Sequence, residues 1–322
     1  MTQYRYTSTD STLFLNKSRV FANLPADLTW VPVKQLPDAK VIKDYELTKV
    51  GIPIGSVIGE AALGVMTSRL ETERNVLSLR YEFTFNKTEL AIAQRNGYSL
   101  VNDALNVGAI QMNKKIAQLL FQGTYIPNDR VNISGMLDVG TDVTTSGWDL
   151  SVQYWSTATK PVFHCAAGFR DLITAHYAPP YHWILSYSLL PGLAALNNAA
   201  NPKSHREICR DGYQIEGFHF YHADTVSNTG EKPGTGGPEI YPLPLTGGQD
   251  GVWLMCQVSP ENFFMGQMTN GIEISELTFD RKTNSYSVFM EWRGAPVFRG
   301  ATVDTAGTAE YILWEDRVDL AT

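Results

Sequence analysis

The segment from Leu100 to Gln122 places the strongest constraint on this chain, because it predicts one long amphipathic helix. Apolar residues recur there every three or four positions, which puts them on one side of a helix. They are Val101, Ala104, Leu105, Gly108, Met112, Ile116, Leu119 and Leu120. Ser99 suits the N-cap and Gly123 suits the stop. At about 1.5 Å per residue the helix is over ~30 Å long, so the fold must offer it an apolar surface of that length.

The residues before this helix alternate between apolar and polar side chains. Leu77, Leu79, Tyr81, Phe83 and Phe85 fall on one side of the alternation. A period of two is typical of a half-buried strand, here residues 76–85. Upstream, residues 40–50 lead into a tip with several glycines, and residues 76–85 return from it, which predicts a long two-stranded ribbon over 40–85. Such a ribbon is only marginally stable in water, so we expect it to lie on a neighbouring molecule.

Residues 1–37 predict an extended arm with no core of its own. Three prolines interrupt the segment, and its apolar side chains follow no helical period. The larger of these are Phe14, Val20, Phe21, Leu24 and Trp30. Between residues 1 and 43 there are six basic and three acidic residues, whereas the whole chain has a net charge of −7. We therefore expect the arm to pack on an acidic partner, either nucleic acid or a neighbouring subunit.

The rest of the chain shows mixed patterns. We expect helices over 152–158, 166–177 and 189–200, and strands over 183–187, 253–258, 273–280, 285–293 and 309–314. The polar turn 281–284 predicts that the two strands beside it form a hairpin. Residues 223–251 are rich in glycine and proline, which indicates a long exposed loop.

Composition excludes several classes of protein. Hydrophobic residues make up 43% of the 322 residues, an ordinary globular balance for about two domains. No apolar run approaches the ~20 residues of a membrane span, and no signal-peptide pattern is present, so we expect a cytosolic chain without a membrane partner. The negative net charge disfavours a dedicated DNA-binding module. Cys165, Cys209 and Cys256 form no paired motif, which favours reduced structural thiols.

Motifs for catalysis and for phosphate binding are missing from the sequence. We therefore predict no enzyme activity, no catalytic residue, no metal and no cofactor. One alternative stays open, because four residues have spacings of three or four that zinc ligands use. They are His205, Cys209, His219 and His222. Exposed or hydrogen-bonded histidines are the favoured interpretation, since zinc sites usually contain closer cysteine pairs.

Several short strings, taken in order, resemble one family of shell-forming proteins. They are FTFNKTEL at 83–90, AQRNG at 93–97, LFQG at 120–123, ISGMLD at 133–138, PPYHWILS at 179–186 and RGAPV at 293–297. Their order, and that of the elements around them, is similar to the Hong Kong 97-like capsid proteins, in the branch related to encapsulins. Asp138 stands where asparagine is common in that family, and Pro179 where glycine is common. The loop at 223–251 is also longer than in compact encapsulins.

The resemblance implies an α+β fold with five parts. They are an N-terminal arm (1–38), an extended β-loop (39–85), a peripheral domain with the long spine helix (86–141), an axial domain (142–268) and returning strands (269–322). The implied assembly contacts are Phe14, Phe21, Trp30, Tyr45, Gly51, Gly55, Gly59, Leu79 and Tyr81.

The resemblance also implies a function and a set of partners. The chain would be a major capsid protein of a tailed bacteriophage, self-assembling into pentamers and hexamers of an icosahedral shell around double-stranded DNA. It would be assembled in the host cytoplasm and reside in the virion capsid. Scaffolding, portal and decoration proteins are further expected partners, with the packaged DNA touched non-specifically. The alternative within the same fold is an encapsulin-type nanocompartment that encloses cargo protein.

Overall fold

The structure is a computed structural model, and it describes residues 28–36, 41–50, 66–126, 131–143, 155, 160–198, 201–224, 242–245, 250–269, 271–299 and 309–318. The helices are α1 (Lys87–Arg95), α2 (Leu100–Gln122), α3 (Met136–Val139), α4 (Lys160–Thr174), α5 (Leu190–Ala194) and α6 (His205–Tyr213), with a 3-10 turn at Tyr187–Leu189. Within these residues, no helix combines the length and the apolarity that crossing a membrane requires.

The strands in the described residues form one six-stranded sheet, one five-stranded sheet and four two-stranded pairs. They are β1 (Val33–Gln35), β2 (Val41–Val50), β3 (Met66–Asn75), β4 (Leu77–Asn86), β5 (Thr124–Ile126), β6 (Val131–Ile133), β7 (Gly140–Asp142), β8 (Tyr181–Ser186), β9 (Leu196–Asn198), β10 (Asn201–Ser204), β11 (Ile215–Tyr221), β12 (Ala223–Asp224), β13 (Leu243–Pro244), β14 (Gly251–Gln257), β15 (Phe263–Gln267), β16 (Glu273–Ile274), β17 (Thr278–Asp280), β18 (Ser285–Phe298) and β19 (Ala309–Val318).

The six-stranded sheet is organised around β18, its longest strand. One edge of β18 pairs antiparallel with the whole of β4, from Ser285 opposite Asn86 to Gly294 opposite Leu77. The other edge pairs in turn with β17, β16 and β15. The pairing of β17 with β18 confirms the predicted hairpin about residues 281–284. β1 then adds to β15 in parallel.

Helix α2 packs against this sheet and confirms the predicted long helix at both ends. The backbone N–H of Asn102 donates to Ser99 Oγ at 3.4 Å, so Ser99 is the N-cap. Midway along the helix, Gly108 meets the sheet, where a Cβ atom would lie 2.6 Å from Phe83 Cζ and 3.0 Å from Met290 Sδ. The absent side chain therefore lets the helix and the sheet approach closely.

The five-stranded sheet has the order β11-β8-β14-β19-β7 and is buried on both faces. One face continues the core that α2 shares with the first sheet, through residues such as Ile184, Leu254 and Ile312. The opposite face belongs to a second core, formed with residues of α4 and α6. Burial on both faces explains why β8 and β14 read as nearly continuous apolar runs instead of alternating ones.

The turn that follows α2 requires glycine at two positions, Gly123 and Gly135, because their backbones are in close contact. Gly123 has φ +66° and ψ −160°, a region that is essentially restricted to glycine. A Cβ there would overlap the carbonyl oxygen of Ile133 and lie 2.6 Å from the nitrogen of Gly135. Asp138 Oδ2 accepts from the Gly135 N–H at 2.8 Å and holds the adjoining turn. The chain therefore reverses tightly between α2 and α3.

Two predicted helices differ from the observed ones. The helix expected at 166–177 spans Lys160–Thr174 instead, because a proline at position 161 is tolerated in the first turn and His176 adopts a positive φ of 68° at the end. The helix expected at 189–200 shortens to Leu190–Ala194, since the asparagine-rich residues after it form the β9–β10 hairpin. The expected helix at 152–158 lies outside the described residues, apart from Trp155.

Helix α6 and strand β11 were not predicted. A capping box marks the start of α6 in the sequence, since Ser204 Oγ accepts from the Glu207 N–H while Glu207 Oε2 accepts from the Ser204 N–H. The return strand of the ribbon is β3 and not the predicted 76–85, because β4 pairs with β18 instead. β15, within the expected axial part, also pairs with β18, and residues 28–36 of the expected arm pack within the body.

We expect Gly123→Ala to lower the free energy of unfolding of the subunit by roughly 3 kcal/mol, because the strained φ/ψ region and the backbone overlap both oppose a side chain. Gly97→Ala is the matched control, since Gly97 also has a positive φ (78°) but no atom would meet its Cβ within 4 Å. That control should lose only about 1 kcal/mol. Urea unfolding measures both variants, and equal losses would contradict the packing argument.

Candidate assembly surfaces

The ribbon formed by β2 and β3 is the first candidate surface. Ten residues of each strand pair antiparallel. Among the described strands, each of the two pairs with the other alone. A two-stranded ribbon is only marginally stable by itself, which makes this one a candidate for contact with another molecule. Tyr45 lies on β2, whereas five other predicted contacts fall outside the described residues. These are Phe14, Phe21, Gly51, Gly55 and Gly59.

Strand β4 follows the ribbon and carries two of the predicted contacts. Its apolar face turns to the core, where Leu77 and Phe85 are buried and Leu79 and Phe83 are half-buried. Tyr81 contacts the ring of Phe83 at 5.0 Å between centroids yet keeps 43% of its surface exposed. Among the described strands, β4 pairs only with β18, which leaves its other edge available. Tyr81 is therefore a candidate contact, while Leu79 mainly serves the core of its own chain.

Helices α1 and α2 expose large apolar side chains that the sequence did not single out. Val107 and Ile110 of α2 are 56% and 54% exposed, on the side of the helix away from Gly108. Ile92 of α1 and Tyr98, between the helices, are each 49% exposed. Exposed apolar residues that recur along one helix mark a candidate contact surface. The signal was present in the sequence, because Val107 and Ile110 fall outside the predicted buried stripe.

Trp30, predicted to contact another subunit, packs inside its own chain. Its indole N–H donates to the hydroxyl of Tyr221 at 3.0 Å. Its ring stacks on that of His219 at 4.8 Å and meets Phe263 edge-on at 6.2 Å. Nearby, Leu28 and Val31 are buried in the same core.

The segment 28–36, which we call the arm base, is therefore fixed to the body. The N–H of Met265 donates to the carbonyl of Pro32, and the N–H of Leu36 donates to the carbonyl of Gln267, both at 2.8 Å. This corrects the prediction that the whole of residues 1–38 must find its partners on other molecules. The physical reason is that residues distant in sequence, Tyr221, His219 and Phe263, together surround the Trp30 ring.

Two histidines lie beneath Trp30, and we call them the histidine pair. His182 Nδ1 and His219 Nε2 are 2.9 Å apart, and the two rings are nearly coplanar, with 14° between their planes. Burial lowers the pKa of His182, which the charge of Glu216 partly offsets. Burial and the neighbouring His182 lower the pKa of His219 to about 4. Both rings are therefore neutral near pH 7.

The four residues of the alternative zinc site do not converge. His205 begins α6, and Cys209 one turn later shares a hydrogen bond with Cys165 of α4, whose pKa is raised mainly by burial. His219 faces His182 on β8, while His222 is exposed beyond the end of β11. Across the part of the chain that the structure describes, no three His, Cys, Asp or Glu side chains are grouped to hold a metal ion.

We expect Trp30→Ala to lower the free energy of unfolding by about 3 kcal/mol, because it removes a packed indole. Trp30→Phe keeps a ring on His219 and loses the bond to Tyr221, so about 1 kcal/mol should be lost. Val33→Ala is the control, since Val33 is 48% exposed in the same segment. If all three variants unfold like the wild-type chain in urea, the arm base is not part of the body.

Comparison with known proteins gives matches at the level of structure only. No protein-family model matches the sequence, and neither does any curated protein. The capsid of Myoviridae phage XM1 superposes with a TM-score of 0.63 at 12% identity, covering 92% of each chain. A chain of Mycobacterium phage Adephagia gives 0.58 at 13% identity, covering 93% of this chain and 92% of that one. The virus-like particle from Pyrococcus furiosus gives 0.56 at 9% identity, covering 97% and 99%.

Identities this low establish the fold alone. The superpositions nevertheless span more than nine-tenths of both partners, so they include both sheets and the long helix. The order of the ribbon, α2 and the strands of the two sheets agrees with the element order on which the sequence resemblance rested. This chain therefore has the Hong Kong 97-like capsid fold.

Proposed function

We propose that this chain is a major capsid protein of a tailed bacteriophage, which assembles with copies of itself into pentamers and hexamers of an icosahedral shell around double-stranded DNA. The observation that carries the proposal is the match to the XM1 capsid over nine-tenths of both chains. The β2–β3 ribbon supports it, because among the described strands it pairs with nothing but itself. The site of action would be the virion capsid, after assembly in the host cytoplasm.

Assembly, in this proposal, uses surfaces that the folded body leaves incomplete. The body has its own buried cores, so each subunit folds before it associates. The ribbon, Tyr81 and the exposed face of α2 then find their partners on a second copy. Each apolar contact contributes about 25 cal/mol per Å² of buried apolar surface. Repetition of one such contact around a ring or shell adds these contributions without requiring any single one to be strong.

No chemical reaction enters the proposal. The solved structures that share this fold over most of their length include a phage capsid and a virus-like particle. Contact with DNA would be non-specific, since the chain carries a net charge of −7 and only its first part is basic. Scaffolding, portal and decoration proteins stay predictions from the family resemblance.

The most general test is electron microscopy of the purified full-length protein. We expect closed particles of uniform diameter in negative stain. A chain that stays monomeric or forms only irregular aggregates, in buffers of varied salt and divalent cation, would contradict the proposal.

A nanocompartment shell of the encapsulin type is the second candidate, since the fold is also shared with a virus-like particle from Pyrococcus furiosus. The contents of particles isolated from the native source separate the two functions. Nuclease-protected double-stranded DNA supports the phage capsid. A folded cargo protein without DNA supports the nanocompartment.

The arm gives a specific prediction with two truncations. Removing residues 1–27 should leave the unfolding free energy of the subunit unchanged but prevent closed shells, because the arm base stays in place. Removing residues 1–37 should also cost stability, about 3 kcal/mol or more, since Trp30 and two buried neighbours are lost. Urea unfolding and negative-stain microscopy provide the two measurements. Normal particles from the shorter truncation would refute a role for the arm in assembly.

The ribbon tip gives another prediction. Valine at Gly51, Gly55 and Gly59 together should reduce the yield of particles at least about tenfold while the subunit still folds, because β-branched residues restrict the tip backbone. Gly212→Val is the control, since a side chain at Gly212 would meet no atom within 4 Å. Particle yield by size-exclusion chromatography and folding by circular dichroism are compared. Equal particle yields from the two variants would contradict a role for the ribbon in assembly.

A further inference from the structure

The arm base is attached to the five-stranded sheet through one aromatic stack. The Trp30 ring lies over both histidines of the pair, 4.8 Å from His219 and 5.7 Å from His182 between centroids, and its plane makes 24° with each. Phe121, at the end of α2, stacks beside the indole at 6.5 Å. The arm base is also held by the parallel pairing of β1 with β15 and by the bond from the Trp30 N–H to Tyr221. Leu28 and Val31 add buried apolar surface, so the stack is one of several attachments.

The histidine pair can form only one kind of hydrogen bond. Two nearly coplanar rings whose nitrogens are 2.9 Å apart require a proton on one nitrogen and a lone pair on the other. The neutral pair and the singly protonated pair both satisfy this requirement. In the doubly protonated pair, two N–H groups face each other and two positive charges lie side by side. The bond cannot survive that second proton.

Glycine at position 217 makes room for this bond. A Cβ there would lie 2.5 Å from His219 Nε2 and 2.8 Å from His182 Nδ1. The pair is therefore partly covered, with Trp30 over the rings and the glycine backbone against the bonded nitrogens, and the His182 side chain is 12% exposed. Partial burial makes a second charge costly to accommodate at this place.

The other titratable groups around the pair do not neutralise two charges. Glu216 Oε2 lies 3.7 Å from His182 Nε2, but its side chain is 62% exposed and reaches only one of the rings. Cys256 is opposite His182 on β14, and burial raises its pKa, so it stays uncharged in acid. Tyr221 contacts the indole, and its hydroxyl accepts the indole N–H.

We propose that the histidine pair and Trp30 form an acid-operated latch, which holds the arm base to the five-stranded sheet at neutral pH and releases it when both rings are protonated. This inference goes beyond the proposed function, because it concerns the attachment of the arm base within one subunit. It holds whether or not the subunits form shells.

The direction of the pH dependence follows from the pKa values. Both histidines have pKa values below the ordinary 6.5 in the folded chain, so the folded state binds fewer protons than the released state. The stabilisation is complete above pH 6.5 and is lost as the pH falls toward the His219 pKa of about 4. Release is therefore a response to acid and not to alkali.

Hydrogen–deuterium exchange of the full-length protein between pH 7 and pH 4, corrected for intrinsic rates, tests the latch. The amide of Leu36, which donates to Gln267, reports on the arm base. Its protection should fall by about tenfold to a hundredfold on acidification. Peptides from β14, at the centre of the five-stranded sheet, should keep their protection. Simultaneous loss in both segments, or no loss in either, overturns the proposal.

Variants separate the latch from a general effect of acid. His219→Phe keeps a ring under Trp30 but cannot be protonated, so the selective loss at residues 28–36 should disappear. His182→Phe should do the same, and it serves if the first variant does not fold, because either change leaves only one titratable ring. The control is His222→Phe, an exposed histidine outside the pair, which should respond as the wild-type chain does. A wild-type response in the two pair variants overturns the proposal.

Discussion

The close packing of α2 on the β4–β18 sheet is the constraint on which the rest of this molecule depends. Gly108 lets the helix approach Phe83 and Met290, and the 23 residues of α2 then extend well beyond the sheet. At its far end Phe121 meets Tyr221 of the five-stranded sheet at 4.9 Å and stacks with Trp30. One long helix thus contacts both sheets and supplies part of the packing around Trp30.

Much of this architecture could be predicted because its signals are local. Ser99, the apolar stripe and Gly123 define α2 within 25 neighbouring positions, and the structure confirms the helix from Leu100 to Gln122. The alternation in β4 and the hairpin before β18 are equally local. The order of these elements, with short strings between them, was sufficient to predict the Hong Kong 97-like fold, although no family model and no curated protein matches the sequence.

The errors concern contacts between residues that are distant in sequence. The sequence did not predict a partner for Trp30 within its own chain, because Tyr221 is 191 positions away. The residues next to Trp30 also give no sign of its contact with the histidine pair. The expected axial domain, 142–268, included the residues of β15, whose partner β18 follows them only after two short strands. Residues 189–200 were expected to continue as a helix, but the paired asparagines there favour turns. Spacing alone also suggested a zinc site from four residues that the fold places apart: His205, Cys209, His219 and His222.

The body has its own buried cores, whereas the ribbon pairs only with itself among the strands that the structure describes. In the proposed function, the ribbon completes its contacts on another copy. A cryo-electron microscopy reconstruction of the assembled protein measures this directly. The account predicts a closed shell in which each β2–β3 ribbon lies on an adjacent subunit while residues 28–36 remain in their own chain. A ribbon folded onto its own body, with no contact to a neighbour, would contradict it.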